Sequence, residues 1–92
     1  MTTQQREQIR LGLLRYCEAA DEYGLASALL LQFLRNEGFR RVTAESLDAE
    51  LAYLADKGLI AAVRKTISPE NRSWRITAAG RDFLAAQNLE NP

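Results

Sequence analysis

Six cations are spaced so that they can neutralise phosphates together: Arg64, Lys65, Arg72 and Arg75 on one short stretch, and the adjacent pair Arg40 and Arg41 earlier in the chain. Cations in such a cluster bind a nucleic-acid backbone with strong salt dependence. The plainer reading is a charged hairpin that resists edge-to-edge strand pairing, with two solvated loop arginines beside it. Charge elsewhere does nothing to favour DNA, because twelve basic and twelve acidic residues cancel and no global field attracts a polyanion. The cations are unevenly placed, however. After Gly58, Arg64, Lys65, Arg72, Arg75 and Arg81 face only Glu70, Asp82 and Glu90, whereas the part before Gly58 is slightly acidic.

Other chemistries find little here. There is no histidine to serve Cys17 or a serine as a base, and a single cysteine makes neither an internal disulfide nor a thiolate metal cluster. Glu45 and Asp48 share a helix face, as a general acid and base would, but helix capping and the helix dipole account for both. Neither a glycine-rich phosphate loop nor a dinucleotide fingerprint occurs. No enzymatic activity, cofactor or metal is expected. Ninety-two residues with 47% apolar and 26% charged side chains indicate one soluble globular domain spanning 1–92, with short flexible ends at about 1–4 and 87–92. The opening Met-Thr-Thr-Gln-Gln lacks the blocks of a secretory signal, and Leu29-Leu30-Leu31 is too short to span a bilayer. A cytoplasmic protein without membrane contact is expected.

The elements that must position these cations follow from periodicity. Thr43 can cap a helix that runs to Lys57-Gly58, with Leu47, Leu51 and Leu54 inward and Glu45 and Asp48 near the positive N-terminus. Leu59 to Ile67 and Ser73 to Thr77 read as two strands joined by a turn through Ser68-Pro69-Glu70-Asn71-Arg72. Val63, Ile67, Trp74 and Ile76 share the buried face of that hairpin, while Arg64, Arg72 and Arg75 stay wet.

Upstream, Gln4 to about Ala20 reads as a helix with Ile9, Leu13, Tyr16, Cys17 and Ala20 inward. Leu11 and Leu14 fall beside that stripe as a broader core or a small dimer contact. Asp21 to Gly24 forms a turn, and Ser27 can cap a helix to about Glu37 whose core face is Leu29, Leu30, Phe33 and Leu34. Gly38 stops it, and Phe39 and Val42 plug the corner before Thr43. A last helix begins at Thr77 and docks through Phe83 and Leu84.

The segment Glu50-Leu-Ala-Tyr-Leu-Ala-Asp-Lys-Gly-Leu-Ile60 and the junction Trp74-Arg-Ile-Thr-Ala-Ala-Gly80, followed by Phe83-Leu84, resemble the winged helix-turn-helix proteins of the MarR-like, PadR-like and ArsR-like bacterial regulators. The likeness runs from about Gln8 to Ala86. Tyr23 to Leu31, with the Glu50 to Ile60 segment, is also similar to small winged-helix proteins of Mu-like phages and prophages. The resemblance implies a mainly α fold of three helices, a two-stranded β-wing and a C-terminal helix. It implies a transcription regulator of phage or bacterial origin on double-stranded DNA, with Ala44 to Lys57 as the groove-reading helix and the wing on the backbone. Arg40, Arg41, Thr43, Ser46, Arg64, Lys65, Arg72 and Arg75 are then the expected DNA contacts. A homodimer through the first and last helices is also implied.

One departure stands out: the outward residues early in the reading helix are Ala44, Glu45, Asp48, Ala49 and Ala52, and carboxylates repel phosphates unless one accepts from a cytosine amino group. The alternative is a protein-protein interaction module on the same scaffold, with a phage or host protein as partner. An acidic helix beside a basic wing would also permit head-to-tail pairing.

Overall fold

The computed structural model of the protein describes residues 2–63 and 72–90. The expected hairpin tip, Ser68 to Asn71, lies outside the described residues, as do Arg64, Lys65 and Ile67. Four helices and a three-stranded antiparallel sheet make up what is described, a mainly α architecture.

Helix α1 (Thr3–Ala20) starts from a reciprocal cap: Thr2 Oγ1 accepts from the Gln5 N–H and the Gln5 side chain accepts from the Thr2 N–H, both at 3.1 Å. Ile9, Leu13, Leu14 and Cys17 are fully buried and Leu11 is partly so, which puts the two flanking leucines into a broadened core face. A single 3₁₀ turn (Asp21–Tyr23) and Gly24 lead into strand β1 (Leu25–Ala26). Gly24 has φ +72°, and a Cβ there would lie 2.9 Å from the Trp74 carbonyl oxygen, so a side chain is excluded on two counts.

The sheet corrects the expected two-stranded wing, because β1 adds a third strand. With β2 (Ile60–Ala62) and β3 (Ser73–Ile76) its order is β1-β3-β2, with Leu25 opposite Trp74 and Ile60 opposite Ile76. Two residues are too few to carry a period-two pattern, so nothing in the sequence marked β1.

Helix α2 (Ser27–Asn36) buries Leu30 and Leu34, one turn apart. Leu29, expected in the core, is 38% exposed, because it sits about 100° around the helix from Leu30. Phe33 is half-buried and packs its ring on Tyr16 with centroids 5.1 Å apart. Ser27 does not cap α2; Ala26 holds that position without a side-chain bond. The Ser27 hydroxyl instead accepts from Trp74 Nε1 at 3.1 Å and donates to the Arg72 carbonyl at 3.2 Å, tying the start of α2 to the start of β3.

After Gly38, Val42 is buried and Phe39 packs partly against the core, filling the corner as expected. Arg35 donates from Nε and Nη2 to the Val42 carbonyl, at 3.3 and 3.1 Å, and so holds the turn in place. Helix α3 (Ala44–Asp56) follows with Leu47, Leu51 and Leu54 inward. Helix α4 (Ala78–Glu90) begins at Thr77, whose hydroxyl accepts from the Gly80 N–H and donates to the Gly58 carbonyl. Leu84 is buried, but Phe83, expected to dock with it, is 39% exposed. Consecutive helix residues point about 100° apart, so only one of the pair can face the core squarely.

Candidate nucleic-acid interface

The expected contacts fall into three groups. Arg40 and Arg41 are exposed in the turn that Arg35 braces, directly ahead of the α3 N-terminus. Thr43 and Ser46 are engaged with each other: the Ser46 N–H donates to Thr43 Oγ1 at 3.1 Å, and Thr43 Oγ1 lies 3.0 Å from Ser46 Oγ. Their first task is therefore to cap α3. Arg72, just before β3, and Arg75, on it, are exposed, and because Trp74 and Ile76 on either side of Arg75 are buried, alternation turns Arg75 to the outer face of the sheet. The Arg72 guanidinium sits 5.7 Å from the Trp74 ring centroid. Arg64 and Lys65 lie outside the described residues.

The face of α3 between these groups is acidic. Ala44, Glu45, Asp48, Ala49, Ala52 and Asp56 are all exposed. Ser27, Asp48, Ala52, Arg72 and Trp74 line a cleft of about 240 Å³ between α3 and the base of β3, so an acidic residue of the helix and an arginine just before the strand share one depression. Among the described residues neither forms an ion pair.

A second cluster had no place in the sequence reading. Glu50, on the inward side of α3, is only 3% exposed and receives Arg6 Nε at 2.9 Å on one oxygen and Arg10 Nε on the other. The Arg10 guanidinium also lies 3.8 Å from the Tyr53 ring centroid. The signal was available: Leu47, Glu50, Leu51 and Leu54 follow the i, i+3, i+4, i+7 rule of a buried helix face, so Glu50 occupies an apolar position. Arg6 and Arg10 stand one turn apart on another helix, ready to neutralise it. This buried carboxylate clamps α1 to α3.

Beside the clamp runs an open groove of about 430 Å³ between α1, the end of α3 and α4, with Leu11, Leu59, Tyr53 and Phe83 along it. Cys17 is buried, and that burial pushes its thiol up to about 11, so it stays protonated at neutral pH. Among the described residues no group of three or more acidic or thiol side chains is placed to hold a metal ion, and no helix there is long and apolar enough to cross a membrane. Trp74, 7% exposed, is the anchor of the sheet in the core and offers no stacking platform.

The chain matches no protein-family model and no curated protein.

Proposed function

We propose that the protein is a winged-helix DNA-binding protein that holds the duplex mainly by its phosphate backbone, as a regulator of transcription in a phage or bacterial cytoplasm. The observation that carries this reading is the placement of exposed arginines around α3: Arg40 and Arg41 in the braced turn before its N-terminus, and Arg72, just before β3, in a cleft with Asp48 and Ala52, with Arg75 exposed on β3 itself. A helix-turn-helix pair, α2 and α3, and an adjacent sheet are a geometry that fits a major groove and its two phosphate rims. Base reading by α3 contributes little, because its exposed side chains are carboxylates and alanines. Affinity then comes from counterion release, and specificity is modest.

The test is fluorescence anisotropy with a labelled pool of duplexes at low and moderate salt. Binding should weaken steeply with salt, and a variant with Arg40, Arg41, Arg72 and Arg75 all changed to Ala should lose it. Each phosphate contact removed should lower the slope of log K against log salt by about 0.9. An unchanged slope in the quadruple variant refutes the reading.

A protein-interaction role is the second reading, favoured by the groove with exposed Tyr53 and Phe83. Absence of any DNA binding by the wild-type protein at low salt would remove the first reading and turn the search to protein partners for this groove.

A further inference from the structure

The face proposed to meet DNA carries both signs of charge at close range. Asp48 and Ala52 of α3 and Arg72, just before β3, line the same cleft, Glu45 lies one turn before Asp48, and Arg40 and Arg41 precede the helix. Between them the helix surface is Ala44, Ala49 and Ala52, all exposed and too small to hold another backbone at a distance. An acidic patch and a basic patch on opposite sides of a molecule would make open head-to-tail chains. Side by side on one face, they are self-complementary under a two-fold axis.

We infer that the α3–β3 face is an interface for a second copy of this chain, in which Asp48 of each protomer meets Arg72 of the other and two α3 helices cross at Ala49 and Ala52. Charge complementarity carries the assignment: acid and base are each exposed and without an ion-pair partner among the described residues, and a two-fold brings each acid to a base twice. Pairs of exposed charges are each worth little, so the dimer is weak and in rapid exchange. It also covers Arg72, so the paired form is the one in which the proposed DNA contact is shut off. Only this last consequence depends on the DNA reading; the pairing itself involves no nucleic acid.

Sedimentation equilibrium over a wide concentration range tests it without DNA. The wild-type protein should gain average mass with concentration at about 0.05 M salt and lose at least roughly tenfold in association at about 0.5 M, where screening is short-ranged. Asp48→Arg and Arg72→Asp should each be monomeric, since each sets like charges opposite one another at both symmetric contacts. Mixed one to one, the two variants should dimerise again, because every contact is then opposite in sign. Circular dichroism and thermal melts of each variant verify that the fold is kept.

A wild-type monomer at all concentrations and low salt overturns the inference. Variants that dimerise like the wild type overturn it too, and direct attention to the groove between α1 and α4. A mixture that stays monomeric overturns the pairing of Asp48 with Arg72. None of these results alters the anisotropy test of DNA binding.

Discussion

Removing the Glu50 carboxylate should be among the costliest single polar substitutions in this protein, and the structure says how the cost divides among its partners. Glu50 is 3% exposed, Arg10 has a side chain 20% exposed, and Arg6 is 49% exposed. Breaking a buried ion pair from one side costs about 3–5 kcal/mol, because the remaining charge is left without a partner. In Glu50→Ala the stranded charges are arginines, of which Arg6 can turn to water and Arg10 keeps its place over Tyr53; the cost is therefore at the lower end, about 3 kcal/mol. Arg10→Ala leaves Glu50 buried with Arg6 alone and loses the ring contact, for about 3–4 kcal/mol. Arg6→Ala removes a half-exposed partner and costs about 1 kcal/mol or less.

The combination Glu50→Leu with Arg10→Met is the informative one. A buried pair replaced by apolar groups of similar size is near neutral, so this double variant should recover most of what either single change loses. Urea unfolding followed by the fluorescence of Trp74, the only tryptophan, gives the values. With a slope near 1 kcal/mol per molar for so small a domain, a loss of about 3 kcal/mol moves the midpoint by roughly 3 M. An Arg6→Ala cost equal to that of Glu50→Ala, or a double variant as unstable as the sum of its parts, would refute the assignment of Glu50 as a buried clamp between α1 and α3.

Two glycines should answer oppositely to alanine. At Gly80 a Cβ would sit 2.2 Å from the Leu59 carbonyl oxygen and 2.7 Å from Ile76 Cγ1, so Gly80→Ala should cost about 3 kcal/mol or more in urea unfolding as α4 is pushed off Leu59 and the end of β3. At Gly12, inside α1, the nearest atom would be Leu34 Cδ2 at an ordinary 3.8 Å, so Gly12→Ala should stabilise by about 0.5–1 kcal/mol. Cys17 predicts a pH dependence. Its folded thiol is raised from 9.0 to about 11 by burial, so between those values the unfolded chain holds fewer protons and stability falls as pH rises, by about 3 kcal/mol in all. Burial and then the Glu37 carboxylate raise Tyr16 as well, which adds to the fall above about pH 10. Urea midpoints from about pH 8 upward should show this decline, and Cys17→Ala should flatten its first part.

The helices of this fold were legible because each carries its own punctuation and stripe. Thr43, Leu47, Leu51, Leu54 and Gly58 announce α3 without reference to anything distant, and Thr77 does the same for α4. What failed was whatever depends on a partner far along the chain. β1 exists only because β3 lies beside it, and Ser27 left the capping role for Trp74 and Arg72, more than forty residues away. Leu29 and Phe83 were assigned inward for being apolar, yet a neighbour on the same helix had the better angle.

The same distinction orders the two charged features of α3. Reading the helix by its exposed side gave Glu45 and Asp48 weight as obstacles to DNA, and the structure keeps both outward. Reading it by its buried side would have shown a third carboxylate, Glu50, in the middle of the leucine stripe, where a charge persists only if cations come to it. Those cations are Arg6 and Arg10, which the chain spends on α1 and so withholds from any polyanion. Of the exposed arginines without an ion pair among the described residues, Arg40, Arg41, Arg72 and Arg75 border α3 or the strand beside it, while Arg15 lies on α1. A protein with zero net charge thus still places four of its exposed, unpaired described arginines around one helix, and that arrangement, more than fold class or total charge, is what the proposed DNA contact at the α3 face rests on.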